Sequence, residues 1–263
     1  MQEHPTRLAR MDFDARTGTG LRQRTVESIG YRIIDSTYPP GHRFANQEDL
    51  SAELGVSRTV VREALGLLRD KGLIESRPKA GTVVADHRSW NLLDPDVLRW
   101  SIAARSAPTT LSHVAEVRLV IEPQAARLAA RRRNDEAAME LLALYDAMAA
   151  SVSDFNRYIE VDLAFHDAVF RAAANPVLAQ MAETIRVALE GSRRVTVQVP
   201  GGPATTIEHH ARVARAIQDR DEAEAARAMT ELIEVSTSHL LRLLQPLDGD
   251  GSPDSTADPD PDR

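Results

Sequence analysis

The chain has 263 residues, of which 43% are hydrophobic and 27% charged, ordinary values for a globular protein of one or two domains. It has no cysteine, which excludes disulfides, thiolate metal sites and cysteine nucleophiles. No apolar stretch is long enough for a signal peptide or a membrane span, so we expect a soluble cytoplasmic protein that does not contact membranes. The net charge of -7 hides a mildly basic segment, because residues 21–85 carry ten basic and eight acidic side chains, whereas residues 247–263 carry one and six.

Three short helices are predicted near the N-terminus. Residues 1–20 lack a sustained apolar period and are expected to form a flexible arm. Apolar residues then recur on one face from Val26 to Ile34, which predicts a first helix. A second helix should begin after Asn46 and a third after Ser57, since both residues are good N-caps. Gly55 stands between these two helices, so they are expected to meet at a tight turn, as in a helix-turn-helix.

A hairpin is predicted directly after the third helix. Residues 73–76 and 82–84 favour two strands, and the turn-prone residues 77–81 join them. The pattern of residues 21–85 is therefore typical of a winged helix-turn-helix domain that binds double-stranded DNA, in which the second helix of the motif enters the major groove. The candidate DNA contacts are Ser57, Arg58, Thr59, Arg62, Arg77, Lys79 and Gly81. The alternative is that the two arginines form a solvated helix face, with Arg62 paired to Glu63 or Asp70.

Several motifs in this segment resemble a known family. They are Tyr38–Gly41, Gly55–Leu65, Gly72–Ile74 and Gly81–Val83. In these motifs the segment is similar to the DNA-binding domain of GntR-family bacterial transcription regulators. The resemblance implies that Arg58, Thr59 and Arg62, together with the hairpin, recognise an operator. The chain departs from the family at residues 44–47, which read Phe-Ala-Asn-Gln where the family usually has Leu-Pro-Ser-Glu.

The second half of the chain is predicted to be entirely helical. Residues 86–108 are expected to form a connector, and residues 109–246 an all-helical domain for effector binding and dimerisation. Its approximate helices are 109–132, 136–151, 154–173, 177–193, 204–219 and 222–244. Residues 247–263 are acidic and rich in proline, and we expect a disordered tail. The predicted fold is mainly α, a winged helix-turn-helix followed by a helical bundle.

An Asp and a His four residues apart are candidate metal ligands. Asp162 and His166 project side by side from a predicted helix, where a carboxylate and an imidazole can hold one divalent ion. An ordinary intrahelical Asp–His pair would explain the same spacing. A later helix begins with His209 and His210, and only one of them can bind, because adjacent residues point about 100° apart on a helix.

Residues 109–244 resemble the FCD effector domain, which places the chain in the FadR subfamily. The motifs that carry this resemblance are Glu116–Arg118, Glu122–Pro123, Leu128–Ala130, Asp162–His166, Asn175–Pro176 and His210. In metal-binding members the ligands are one Asp and three His, and the matching positions here are Asp162, His166, His210 and Leu232. Leucine cannot bind a metal. The resemblance therefore implies a three-ligand site for Zn, or for Mn or Ni, whose open positions accept water or effector oxygens.

A narrower similarity suggests the effector. The connector from Trp90 to Trp100 is similar to that of members that respond to sugar acids such as galactonate. This similarity implies that Arg118 binds the effector carboxylate, that Thr206 donates to a hydroxyl, and that His239 replaces an arginine. The alternatives are a surface ion pair of Arg118 with Glu122, a helix cap at Thr206 and a plain helix-face histidine at position 239.

The expected function is that of a homodimeric transcriptional repressor of a sugar-acid catabolic operon, which binds a palindromic operator. We expect its DNA affinity to be controlled by an aldonate, such as galactonate or gluconate, bound beside the metal. One alternative is a regulator that senses a fatty acyl-CoA or another organic acid. A metalloenzyme that uses Glu208 and His209 as acid and base is the alternative from another class, and it leaves the winged helix unexplained.

Overall fold

A computed structural model describes residues 20–104, 106–196 and 204–244. Its elements are α1 (Leu21–Ile34), α2 (Gln47–Leu54), α3 (Arg58–Asp70), β1 (Ile74–Arg77), β2 (Gly81–Val84), α4 (Pro95–Ala103), α5 (Ala107–Arg132), α6 (Asp135–Ala150), α7 (Phe155–Ala172), α8 (Pro176–Thr196), α9 (Ala204–Gln218) and α10 (Glu222–Leu244). The mainly α fold is confirmed. The predicted acidic tail and, except for Gly20, the predicted arm lie outside the described residues. None of the helices in the described ranges has the length and hydropathy of a membrane span.

Local capping determines the helix-turn-helix. The Asn46 side chain accepts two backbone N–H bonds from the first turn of α2, at 2.9 and 3.0 Å. Gly55 ends α2 in the left-handed conformation, with φ of +64°, which favours glycine. Ser57 then accepts the N–H of Val60 at 3.3 Å and begins α3. The predicted turn between the two helices is confirmed.

The wing is a two-stranded antiparallel hairpin. Its register runs from Ile74 opposite Val84 to Arg77 opposite Gly81, within one residue of the predicted strands. Its tip has positive φ values at Lys79 and Gly81. Arg43 fixes this tip, because its guanidinium donates to the carbonyl oxygens of Lys79 and Ala80 at 2.9 and 2.5 Å. The wing is thus a defined turn whose backbone is tied to the segment before α2.

Helices α5 to α10 form the predicted bundle. Their ends lie within three residues of the predicted ones, and the described residues of this region contain no strand. Helix α10 packs along α5 and α9, and α7 packs against α6 and α8. Apolar side chains such as Leu141, Met148, Phe165 and Leu232 are completely buried between them. Burial of these side chains provides the main stabilisation of the bundle.

Helix α4 lies in the predicted connector, where the sequence indicates no helix. Asp94 caps it by accepting two backbone N–H bonds. One face of α4 places Val97 and Trp100 in the core of the winged helix. Another face places Leu98 and Ile102 in a cluster with residues of α5, α8 and α10, which we call the junction cluster and which comprises Leu98, Ile102, Leu111, Val187, Ala188 and Leu240. Because α4 is only nine residues long, its sequence has too few turns to show a clear periodic pattern.

Two glycines allow α4 to pack closely on both sides. A Cβ atom on Gly30 of α1 would lie 2.4 Å from the ring of Trp100, and one on Gly191 of α8 would lie 2.7 Å from Ile102. Lys71, which follows α3, adds an ion pair to the start of α4, with its Nζ 2.8 Å from Asp94 and 2.9 Å from Asp96. Helix α4 is therefore fixed against both the DNA-binding unit and the bundle.

The close packing at Gly30 predicts opposite effects for two Gly→Ala substitutions. Gly30→Ala should lower the free energy of unfolding by about 1 to 3 kcal/mol, since the new methyl group overpacks Trp100. Gly66→Ala is the matched control, because a Cβ there meets nothing within 4 Å; it should raise stability by up to about 1 kcal/mol through helix propensity. Urea denaturation followed by circular dichroism measures both effects. Equal effects of the two substitutions would contradict the close approach.

Candidate nucleic-acid interface and metal centre

The start of α3 presents the predicted contact residues to solvent. Ser57, Arg58, Thr59 and Arg62 are all exposed. The Arg58 side chain is 68% exposed, and its guanidinium lies 3.8 Å from Glu48, a surface pair that contributes little to stability. Glu63 lies near Arg22 rather than Arg62, and within the described ranges Arg62 has no ion-pair partner. Both arginines of the first turns are thus available for phosphate or guanine contacts.

The wing presents a second basic element. Lys79 is exposed at its tip, next to exposed Gly81. Arg77 is also exposed, and its Nε donates to Glu75 at 2.8 Å, so part of its charge is compensated within the strand. Arg43, which orients the tip, is absent from the residues predicted from sequence. Its position 36 residues before Lys79 gave no local signal of the contact.

The predicted metal ligands come together inside the bundle. Asp162 and His166 lie on α7 and His210 lies on α9, and all three are buried. One ligand atom of each lies within 4.8 Å of the ligand atoms of the other two. Asp162 Oδ1, His166 Nε2 and His210 Nε2 are buried and have no hydrogen-bond partner among the described residues. Buried polar atoms of this kind require compensation, and a divalent cation would provide it.

The tautomer of His210 supports a cation at this position. Its Nδ1 lies 2.8 Å from the carbonyl oxygen of Thr206, which can only accept, so Nδ1 carries the hydrogen. Burial lowers the pKa of His210, and the neutral ring then has a lone pair on Nε2. This lone pair faces Asp162 Oδ1 at 3.3 Å. Donor atoms of a zinc site are separated by a similar distance, about 3 to 3.5 Å, since each lies about 2.1 Å from the metal.

Glu122 orients the second histidine. Its Oε2 lies 2.8 Å from His166 Nδ1, close enough for the carboxylate to orient this imidazole with Nε2 left for a metal. The other oxygen of Glu122 accepts the Nε–H of Arg118 at 2.5 Å. Burial alone would raise the pKa of Glu122, but the charge of Arg118 beside it lowers that pKa to about 2. The Arg118–Glu122 pair is thus confirmed as a contact, but it is buried rather than on the surface.

Arg193 completes the cluster. Its Nε donates to Asp162 Oδ2 at 2.9 Å, so Oδ1 is the oxygen that faces His210. Burial opposes the ionised carboxylate, but the guanidinium charge outweighs it and holds the pKa of Asp162 far below its usual range. Of the Asp, Glu, Lys and Arg side chains that the structure describes, only Arg118, Glu122, Asp162 and Arg193 are buried. All four belong to this one network.

A pocket opens beside the network, between α5, α8 and α10. The space at this pocket measures about 290 Å³, a volume that includes open solvent at its mouth. The lining residues are Leu111, Val114, Ala115, Arg118, Ala188, Ser192, Arg193, Ser236, Thr237 and Leu240. The pocket thus combines two guanidinium groups, three hydroxyl groups and an apolar wall. A small polar anion would find complementary groups here.

The three predicted effector residues occupy different places. Arg118 lines the pocket, and its Nη2 is buried without a hydrogen-bond partner in the described part of the chain. The Thr206 hydroxyl lies 2.9 Å from the Tyr158 hydroxyl, and its carbonyl oxygen fixes His210, so Thr206 contacts the metal side rather than the pocket wall. His239 is half-buried on α10, between residues that line the pocket but not among them.

Two residues of this network, Glu122 and Arg193, are missing from the residues predicted from sequence. Glu122 was detectable as the residue one turn after Arg118, where it was weighed only as a surface partner. Arg193 is 31 residues from Asp162, at the end of the predicted fourth bundle helix, and no spacing within α8 indicates that it meets α7. The spacing of residues along one helix predicts ligands on that helix, but it does not predict partners that come from another helix.

Two family models match the chain. The model for bacterial regulatory proteins of the gntR family matches residues 21–84, and that for the FCD domain matches residues 113–235. The galactonate operon transcriptional repressor of Escherichia coli K12 is 31% identical over 222 residues, 82% of this chain and 95% of that protein. The uncharacterized regulator YieP of the same organism is 37% identical over 159 residues, 60% of this chain and 69% of that protein.

The solved structures agree with the fold. The structure of Lar, which controls the expression of the Listeria monocytogenes agr system, superposes with a TM-score of 0.60 and covers 86% of this chain and 98% of that chain. At 17% identity it supports the fold alone. The relatives found by sequence are transcriptional regulators, not enzymes. The chain belongs to the GntR family of bacterial transcription regulators, in the FadR-type branch that carries an FCD domain.

Proposed function

We propose that this regulator is a repressor that binds a palindromic operator as a homodimer and senses a small sugar acid, an aldonate, beside a divalent metal ion. The observation that carries this proposal is the pocket lined by Arg118 and Arg193, since Arg193 contacts Asp162, one of three buried ligand residues whose facing atoms have no hydrogen-bond partner in the described part of the chain. The likeness to the galactonate operon repressor supports the choice of an aldonate. A regulator of this kind acts in the bacterial cytoplasm, where the chromosome is.

The metal would be held by Asp162, His166 and His210. Two nitrogens and one carboxylate oxygen suit zinc best, and manganese or nickel next. Position 232, which matches the fourth ligand of metal-binding relatives, is a completely buried leucine. The metal would therefore keep open positions, and in such a site it supplies a Lewis acid for a carboxylate or hydroxyl oxygen.

The pocket chemistry favours a small hydroxy acid over an acyl-CoA. Arg118 provides a guanidinium for a carboxylate, and Ser192, Ser236 and Thr237 provide hydroxyl groups for the hydroxyls of a sugar acid. A fatty acyl chain requires a long apolar channel, and this pocket is small, with charged groups on its wall. Galactonate and gluconate both fit this description.

Helix α4 would transmit effector binding to the DNA-binding unit. Three residues of the pocket wall, Leu111, Ala188 and Leu240, also belong to the junction cluster, which includes Ile102 of α4. The other face of α4 places Trp100 in the core of the winged helix. A shift of the pocket wall would therefore move the two recognition helices of a dimer away from the spacing of their half-sites, and operator affinity would fall.

The recognition helix is tested by Arg58→Ala. This substitution should weaken operator binding by about 1 to 3 kcal/mol at fixed salt, because it removes a guanidinium from the first turn of α3. Arg69→Ala is the matched control, since Arg69 is exposed in the last turn of the same helix. Electrophoretic mobility shift on the cognate promoter measures both. An unchanged dissociation constant for Arg58→Ala would remove this residue from the interface.

The metal site is tested with two adjacent histidines. His210→Ala should abolish retention of zinc, which we expect at about one ion per chain in the wild type, because the substitution removes one of three ligands. His209→Ala should retain the ion, since the geometry places His210 alone beside Asp162. Elemental analysis after dialysis gives the result. Equal metal contents in the two variants would exclude His210 as a ligand.

The effector class is tested by thermal shift. Galactonate or gluconate at about 100 times its dissociation constant should raise the melting temperature of the zinc-loaded protein by about 5 to 10 °C. The shift should vanish after chelation, measured against the metal-free baseline, and galactitol, which lacks the carboxylate, should give none. A shift with an acyl-CoA and none with any aldonate would overturn the proposed effector while leaving the DNA-binding assignment intact.

A further inference from the structure

Arg193 is a polar residue of the pocket wall that also contacts a candidate metal ligand. We propose that it is a second effector-binding residue, which binds the effector carboxylate and Asp162 through the same guanidinium and so makes effector affinity depend on the metal. This inference rests on the proposed function and names a residue that determines its specificity.

The position of Arg193 connects two parts of the site. Its side chain is 5% exposed, and its Nε donates to Asp162 Oδ2 at 2.9 Å. It also lines the pocket, together with Arg118 from the facing helix α5. Among the residues that line the pocket, Arg193 is the one whose side chain contacts a member of the Asp162, His166 and His210 triad in the described structure. An anion in this pocket would lie against the same side chain that holds Asp162.

The charge balance of the network favours an anion when the metal is bound. Without a metal, two ion pairs balance each other, Arg118 with Glu122 and Arg193 with Asp162. A divalent cation adds two positive charges to this buried network, while the ligating histidines stay neutral. Uncompensated buried charge is unfavourable, so the loaded site attracts an anion. Asp162 is then shared between the metal and Arg193. The carboxylate therefore compensates less of the positive charge of Arg193, and this guanidinium can attract an anion in the pocket.

The geometry of the guanidinium suits this double contact. An arginine presents five N–H donors in a planar fork, so it can bind two carboxylates on different edges at once. Because Nε is used by Asp162, a lysine at position 193 would keep the charge and lose the fork. If only the positive charge of Arg193 matters, Arg193→Lys should bind the effector as the wild type does. If the planar set of N–H donors matters, Arg193→Lys should bind it more weakly.

The experiment compares Arg193→Lys and Arg193→Gln with the wild-type full-length protein, each saturated with zinc and titrated with galactonate and gluconate by calorimetry. Both variants should bind the aldonate about 10- to 100-fold more weakly, the usual effect of losing a charge-assisted bidentate contact. Arg186→Lys is the matched control, because Arg186 lies on the same helix and pairs with Glu183 on the surface. It should leave aldonate affinity unchanged.

A second readout separates effector binding from support of Asp162. Zinc affinity is measured by competition with a chelator, with and without saturating galactonate. Because linkage is reciprocal, galactonate should tighten zinc binding in the wild type and in Arg186→Lys, and this tightening should shrink in Arg193→Lys. If Arg193 only holds Asp162, its variants would change zinc affinity equally with and without galactonate, and the inference would be wrong.

The other possible outcomes test the inference and the proposed function separately. Unchanged aldonate affinity of both zinc-loaded Arg193 variants would overturn the inference and leave the proposed function standing. Failure of the zinc-loaded wild type to bind any aldonate would overturn the proposed function itself, and the role of Arg193 with it. Weaker aldonate binding in both variants, in protein that remains folded and with reduced linkage to zinc, would support the role of Arg193 in effector binding.

Discussion

Burial of four charged side chains in one network is the constraint on which the effector region depends. Arg118, Glu122, Asp162 and Arg193 come from α5, α7 and α8, and they are the buried Asp, Glu, Lys and Arg residues of the described chain. Removing one partner would leave an uncompensated buried charge, which is strongly destabilising. The three helices are therefore held in one arrangement by charge as well as by apolar packing, and that arrangement aims the ligand atoms of the two histidines at Asp162.

Helix α4 imposes the corresponding constraint on the other half of the molecule. A free linker would allow the winged helix to move independently of the bundle. Here Trp100 is buried in the core of the winged helix, and Ile102 in the junction cluster. Gly30 of α1 and Gly191 of α8 allow their helices to pack closely against α4. A displacement of α4 toward either helix would therefore be opposed by steric repulsion. Helix α4 thus connects the winged helix to the bundle through direct packing on both sides.

The sequence predicted features that depend on local spacing. Asn46, Gly55 and Ser57 were recognisable because caps and turns act within a few residues, and Asp162 with His166 because one helix turn separates them. Arg193 and α4 were not recognisable, since a partner 31 residues away leaves no local signal and a helix of nine residues is too short for a clear periodic pattern. The pairing of Arg118 with Glu122 was predicted, but its burial was not. Burial of this pair depends on how α7 and α8 pack over α5, which the local sequence does not show.

Helix α8 is where the two constraints meet. Gly191 contacts Ile102 of α4, and two residues later Arg193 contacts Asp162 and the pocket. Residues two apart on a helix point about 200° from each other, so α8 presents opposite sides to α4 and to the charged network. Because a close-packed helix moves as a rigid unit, a change in what Arg193 binds would displace Gly191 against Ile102 rather than be absorbed by flexible side chains. The close packing at that glycine makes even a small displacement costly, and the proposed effect of effector binding on the winged helix depends on this cost.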